Sequence, residues 1–284
     1  MTESRATRLL LRLGAGATLA FIYFPLVVIA VYAFNENISQ TWPIEHYTTK
    51  WFGIAWHNPD VRDALLLSVK AALGATGIAL VLGTLAALAV SRSRFFGRET
   101  ISFLVILPLA LPGIITGLAL QATILNVLEP IGISFSIWTI VIGHATFCVV
   151  VLYNNAVARM RRVSGNLDEA SLDLGADAWQ TFRFVTFPQL RSALHAGALL
   201  AFALSFDEVV VTIFTSGAQE TLPIWIFTNF ARPRELPVVN VVALFVIVAS
   251  IVPVWFAQRL AGGSGLTSDR PTTRAVAAAI EAEP

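Results

Sequence analysis

Residues 166–188 read Asn166-Leu167-Asp168-Glu169-Ala170-Ser171-Leu172-Asp173-Leu174-Gly175-Ala176-Asp177-Ala178-Trp179-Gln180-Thr181-Phe182-Arg183-Phe184-Val185-Thr186-Phe187-Pro188. The spacing predicts two short helices joined at a glycine. Asn166 stands three residues before Glu169, a capping-box pair whose side chains satisfy backbone donors left open at a helix start. Leu167, Ala170, Ser171 and Leu174 then share one face. Gly175 ends the helix, because the left-handed turn that closes it is easiest for glycine. Asp177 caps the second helix with Gln180 at the matching position, and Pro188 marks its end. The product is a rigid amphipathic elbow. The plain alternative is a helix lying on lipid, but Asp168, Glu169, Asp173 and Asp177 would be repelled by an anionic inner leaflet.

On either side of this elbow the chain is apolar. A membrane-spanning helix needs about 20 mostly apolar residues, and six runs qualify: 13–34, 65–90, 101–125, 137–158, 194–214 and 238–258. The first is longer than the apolar region of a cleaved signal peptide and lacks a clear A-x-A site, so it reads as an uncleaved span. Orientation follows from Lys and Arg, which favour the cytoplasmic side. Fourteen fall in 1–12, the second and fourth loops and the tail, against four (Lys50, Arg62, Arg232, Arg234) on the other side. Both termini are therefore expected in the cytoplasm: a short N-terminus 1–12, a membrane domain 13–260 with the elbow in an inward loop 159–193, and a disordered tail 261–284.

Composition agrees. The 284 residues are 56% hydrophobic and 13% charged, with a mean hydropathy of +0.72. Soluble domains run at about 45–50% apolar and about 25% charged, so a soluble enzyme is excluded and a lipid bilayer is the expected surrounding. A net charge of +1 gives no reason to expect a nucleic-acid partner. The single cysteine, Cys148, rules out a disulfide framework within the chain and lies in an apolar run, where a packed thiol is expected. With two lysines and no G-x-x-x-x-G-K-[ST], the chain has no P-loop. Energy for uphill transport would come from another chain or an ion gradient. His46, His57, His144 and His195 have no metal-ligand spacing, so no metal site is expected. His144 and His195, in or beside spans, read as hydrogen-bonded packing groups. No catalytic set is expected either.

Within the spans, Ala71, Ala75, Ala79, Gly83 and Ala87 form a row of small residues for close helix packing. Pro108, Pro112, Gly113 and Gly117 imply that the third span is either broken or merely kinked. The loop 35–64 carries Trp42, Tyr47, Trp51, Phe52 and Trp56, which suit either an interfacial segment or a docking surface for an external partner. Asp207 and Glu208 lie deep in the fifth run, where an ionisable group costs about 2.5–3.5 kcal/mol. They form either a structural ion pair or a carboxylate contact for a cationic substrate, with Ser205 and Phe206 offering a hydrogen bond and a ring face. On a continuous helix the two acids would point about 100° apart.

The elbow resembles the EAA loop of ABC importer permeases: Glu169-Ala170-Ser171, then Gly175-Ala176, then Phe187-Pro188, with Ser171 replacing the second alanine. Pro25, the Trp51-to-Ser68 lead, Leu107-Pro108 with Pro112, Ser205-Phe206-Asp207-Glu208-Val209-Val210-Val211-Thr212 and Thr221-Leu222-Pro223 resemble the spermidine/putrescine branch. Branches for opines, phosphonates and ferric iron share parts of the pattern. The resemblance implies an all-α membrane protein of the type I ABC importer permease fold with six transmembrane helices, in a bacterial cytoplasmic (inner) membrane. It implies that Glu169, Ala170, Ser171, Gly175, Ala176 and Pro188 belong to a coupling helix docked on a separate ATPase. The implied partners are a second homologous permease, two copies of the ATPase, which would hold the ATP and magnesium, and an extracytoplasmic substrate-binding protein. The implied cargo is a polyamine. Two rivals fit less well. An ion-driven secondary transporter would lack the elbow and show a repeated half, and an intramembrane enzyme would need a second catalytic group near Asp207 or Glu208.

Overall fold

The computed structural model describes residues 5–93, 96–163 and 165–262. The expected tail beyond Gly262, Arg94 and the first four residues lie outside the described residues. Among those described there is no β-strand, only an isolated antiparallel bridge between Asn35 and Tyr47.

Helix α1 (Arg5–Tyr32) carries Pro25 within it. A short α2 (Lys50–His57) leads to α3 (Pro59–Arg92), a 34-residue helix. Asn58 caps α3, its side chain accepting from the backbone N–H groups of Asp60 and Val61, and Pro59 occupies the first turn, where a missing donor costs nothing.

The third run is broken rather than kinked. It divides into α4 (Arg98–Ala110) and α5 (Gly113–Thr123), with Leu111 extended between them. Leu111 precedes Pro112, and the proline ring pushes its neighbour out of the helical region. Pro108 sits inside α4 without ending it. Next comes α6 (Ile137–Met160), opened by a capping box between Ser136 and Thr139.

The elbow follows as α7 (Asn166–Asp173) and α8 (Ala178–Thr181). A wide π turn, Phe182–Thr186, carries α8 straight into α9 (Phe187–Phe206). Pro188 therefore does not end the second elbow helix. In the π turn the Phe187 N–H reaches back five residues to the Phe182 carbonyl, and the altered register accommodates a residue with no donor of its own. The fifth run is interrupted too: α9 stops at Phe206, and α10 (Val210–Thr215) resumes after Asp207, Glu208 and Val209. The last described elements are α11 (Leu222–Phe230) and α12 (Leu236–Gly262).

Among the described residues, four stretches are long and apolar enough to cross a membrane unaided: Thr7–Tyr32, Pro59–Arg92, Gly113–Ile131 and Ile137–Met160. The other two expected spans are the interrupted α9–α10 pair and α12. The centre of the bundle is α3 against α6 and α9. Ala71, Ala75, Ala79 and Ala87 are fully buried, and a Cβ at Gly83 would lie 3.0 Å from the Val149 carbonyl and 3.1 Å from Leu152. The small-residue row is thus what lets α6 approach. Cys148 is buried in the same cluster, its thiol directed at the Ala201 carbonyl at 3.3 Å. At the end of the bundle opposite the elbow, Trp51 and Ala55 pack with Leu222, Trp225, Val238 and Val242. Trp51 Nε1 donates to the Asn35 carbonyl at 2.9 Å. The aromatic loop is therefore divided: Trp51 is core, while Trp42, Tyr47 and Trp56 are exposed.

Candidate functional site: the elbow and the broken fifth span

The elbow is built from local chemistry. Gly175 has φ +87°. Its N–H donates to the Leu172 carbonyl (2.9 Å) and that of Ala176 to the Ser171 carbonyl (3.1 Å). These are the two bonds of a Schellman turn, which satisfies carbonyls left open at a helix end. Asp177 and Gln180 form the expected capping box, with side chain to backbone N–H distances of 2.8 and 2.9 Å. At the other end the expectation was off by one residue: Asn166 is the first residue of α7 and Gly165 precedes it as the cap, without a side-chain cap bond.

Two inward polar side chains anchor α7. Ser171 Oγ lies 3.1 Å from Thr181 Oγ1, so the serine that replaces alanine ties the two elbow helices together. Asp168 uses both carboxylate oxygens, one accepting from Thr186 Oγ1 at 3.0 Å and the other paired with Arg92 Nε at 2.9 Å. Leu167, Leu172, Leu174 and Trp179 face outward, Leu174 at 90% exposure. Glu169 and Ala170 are exposed on the same body. The apolar side of the elbow is presented away from this chain rather than folded onto it. Arg92 was invisible as an elbow residue, since it sits at the end of α3 and only the fold brings it to Asp168; Thr181 and Thr186 lie within the stretch but carried no sign of these partners.

The second cluster surrounds the break in span five. The Asp207 N–H still bonds the Ala203 carbonyl, closing α9. Glu208 then caps α10: its Oε1 accepts from the Val211 N–H at 3.0 Å, and its carbonyl accepts from Thr212 Oγ1 at 2.6 Å. His144 on α6 clamps the two pieces, with Nδ1 2.7 Å from Ser205 Oγ and Nε2 2.8 Å from Thr212 Oγ1. The one hydroxyl proton of Thr212 goes to the Glu208 carbonyl. Nε2 must therefore carry the imidazole hydrogen, and Nδ1 accepts from Ser205. His144 is 2% exposed, the hydrogen-bonded packing role its place in a span suggested. The helix α10 is gripped further by Thr139 Oγ1, which donates to the Thr215 carbonyl at 2.8 Å, and by Gly117, where a Cβ would collide with the Phe214 ring. Gly113 approaches Val210, so the breaks of spans three and five face each other.

The four residues singled out from the sequence are thus separated. Ser205 is buried in the clamp and Glu208 caps α10. Asp207 is exposed, and with Phe206 it lines a groove of about 670 Å³ whose other walls include Phe227, Phe230 and Val246. The backbone break, and not helical periodicity, is what parts the two acids. A carboxylate beside an apolar, aromatic-walled groove attracts ammonium groups, which gain from ring faces as well as from the charge. Phe227 and Phe230 come from α11, which no feature of the sequence connects to Asp207.

A helical bundle with two interrupted spans and an outward-facing elbow is the architecture of an ABC importer permease subunit. The chain belongs to the family of binding-protein-dependent transport system inner membrane components, whose model matches residues 79–263. It is 32% identical over 232 residues to the putrescine transport system permease protein PotI of Escherichia coli, covering 80% of this chain and 82% of that protein. It is 30% identical over 247 residues to the spermidine/putrescine transport system permease protein PotC of the same species, covering 86% and 91%. In fold it is similar to a chain in the crystal structure of a bacterial ABC transporter involved in the import of the acidic polysaccharide alginate. The TM-score there is 0.69 at 17% identity, covering 91% of this chain and 99% of the other. As a member of this family the chain is an inner-membrane transport component.

Proposed function

We propose that this chain forms, with a second homologous permease, the membrane pathway of an ABC importer for polyamines. The observation that carries the substrate class is Asp207 beside a groove walled by Phe206, Phe227 and Phe230, together with likeness to permeases named for putrescine and spermidine over most of the chain. A polyamine carries several ammonium groups on an aliphatic stem, and a lone carboxylate among aromatic walls suits both parts. Asp207 and Phe206 contact the cargo, while Ser205 and Glu208 shape the break that presents them.

An extracytoplasmic binding protein delivers the cargo and two ATPase subunits, which bind ATP and magnesium, drive transport. Each elbow, with Glu169, Ala170, Ser171, Gly175, Ala176 and Pro188, docks in a groove of an ATPase. Its outward Leu172, Leu174 and Trp179 supply the apolar contact. Closure of the ATPases on ATP moves the elbow and re-orients the spans, a rigid-body form of alternating access. Both termini lie in the cytoplasm on this reading, as the arginine count favours.

The test is uptake by the complete importer in inverted-orientation-controlled vesicles, with radiolabelled putrescine and competition by spermidine, 2-aminoethylphosphonate, an opine and ferric iron. ATP-dependent putrescine uptake blocked by spermidine alone supports the reading. Competition by the phosphonate, opine or iron without competition by spermidine overturns the substrate class.

A further inference from the structure

The Asp168 carboxylate sits where three elements meet. It belongs to the first turn of α7, where negative charge is favoured by the helix start. One oxygen is paired with Arg92, the last residue of α3, at 2.9 Å, and the other accepts from Thr186 at the head of α9, at 3.0 Å. The Arg92 and Asp168 side chains are only 24% and 20% exposed, so solvent screens them less than a free surface pair. The Arg92 guanidinium also lies against Gly165, where a Cβ would come within 3.1 Å. A displacement of α7 therefore bears directly on α3, the helix at the centre of the bundle, and on α9, whose far end is the break carrying Asp207. Two further bonds stiffen the second route: Ser171 to Thr181 within the elbow, and Arg159 Nε to the Gln189 carbonyl at 2.9 Å, which fixes the start of α9 to α6.

We propose that Asp168 is a positioning residue for transport, and that its ion pair with Arg92 and its hydrogen bond from Thr186 transmit movement of the elbow to spans two and five. The proposal rests on the elbow being the ATPase-docking element. It goes beyond that reading in assigning the transmission to a half-buried node and not to the docking face. The two functions belong to different side chains and separate experimentally.

The experiment uses the complete importer in vesicles, reading ATPase co-purification, ATP hydrolysis and radiolabelled putrescine uptake on the same preparations. Asp168→Asn and Arg92→Gln remove the ion pair with little change of size. Thr186→Val removes the second arm. The charge exchange Arg92→Asp with Asp168→Arg re-forms an ion pair of opposite polarity. The expected result is unchanged co-purification in all variants and continued ATP hydrolysis. Uptake per ATP hydrolysed should fall about tenfold in Asp168→Asn and Arg92→Gln, in the range of a typical coupling energy. It should fall less in Thr186→Val and recover partly in the exchange. Unchanged uptake per ATP in Asp168→Asn and Arg92→Gln overturns the proposal, as does loss of co-purification, which would make the node a scaffold for docking. Single variants impaired with no recovery in the exchange also overturn it, since the pair would then not be the link. Leu174→Asp on the outward face distinguishes the two readings. If it leaves ATPase association intact, the docking assignment fails. If it abolishes association while the Asp168 variants stay fully coupled, only the transmission assignment fails.

Discussion

Replacing Gly175 probes the elbow turn without altering its neighbours. With φ at +87° the residue occupies the left-handed region, and a Cβ there meets nothing within 4 Å. Any cost is therefore conformational and not steric. For alanine that cost is about 1–2 kcal/mol, which shifts the balance between the turn as built and any relaxed form by about 5–30-fold. Asparagine adopts this region more readily and should cost less. Proline cannot reach it, because its ring fixes φ near about −65°, and it also deletes the Gly175 N–H bond to Leu172. The expected order of ATPase co-purification and putrescine uptake is wild type, then Asn, then Ala, with Pro close to background while the protein still inserts. Titrating the ATPase against detergent-solubilised permease gives the affinity ratio directly. Asn as damaging as Pro would mean that a side chain at the tip obstructs the docked surface, and wild-type behaviour of Gly175→Pro would mean that the turn is not part of the coupling element. Either result refutes the argument from backbone conformation.

Removing the clamp with His144→Phe leaves the Ser205 and Thr212 hydroxyls facing a ring, at about 1–3 kcal/mol. The melting temperature in detergent should drop, and an unchanged value would show that the clamp does not hold the break. Gly83→Val should lower folded yield through overpacking worth about 1–3 kcal/mol, because its Cβ would lie 3.0 Å from a backbone carbonyl, whereas Gly77→Ala meets nothing within 4 Å and should be neutral. Single cysteines in a Cys148→Ala background should be labelled from outside intact cells by an impermeant thiol reagent in 35–64 and 215–237 but not in 159–193. Outside labelling of the 159–193 loop contradicts the arginine count.

How much could be read in advance depended on whether the cause was local. The turn at Gly175 and the cap at Asp177 involve residues within five positions of one another, and both were legible. So was the buried row from Ala71 to Ala87, a pattern of period four on one helix. Pro188 misled because the sign of a helix end is overridden by a π turn that opens the hydrogen-bond register just before it. The break after Phe206 had no local mark, since Ser205-Phe206-Asp207-Glu208-Val209-Val210 contains neither proline nor glycine. It is held by His144, 61 residues before Ser205, and by the Glu208 side chain turning back on its own backbone. The one available signal was the number of polar groups in apolar runs: a histidine, a serine and a threonine that find partners in one another, and an acid, Glu208, that turns to the backbone. Arg92 gave no such sign, since an arginine at the end of a span is already explained by its preference for the cytoplasmic side.

The most direct measurement is putrescine uptake against ATP hydrolysis for Asp207→Asn and Glu208→Gln in the assembled importer. One ammonium contact to a carboxylate in a site of low dielectric is worth about 1.5–3 kcal/mol, and about 1.4 kcal/mol corresponds to tenfold. Asp207→Asn should therefore lower uptake tenfold or more while assembly and basal hydrolysis persist, and Glu208→Gln should act mainly on stability through the weakened cap of α10. Normal uptake in Asp207→Asn would remove the carboxylate from the pathway and contradict a cation-carrying groove at the broken fifth span.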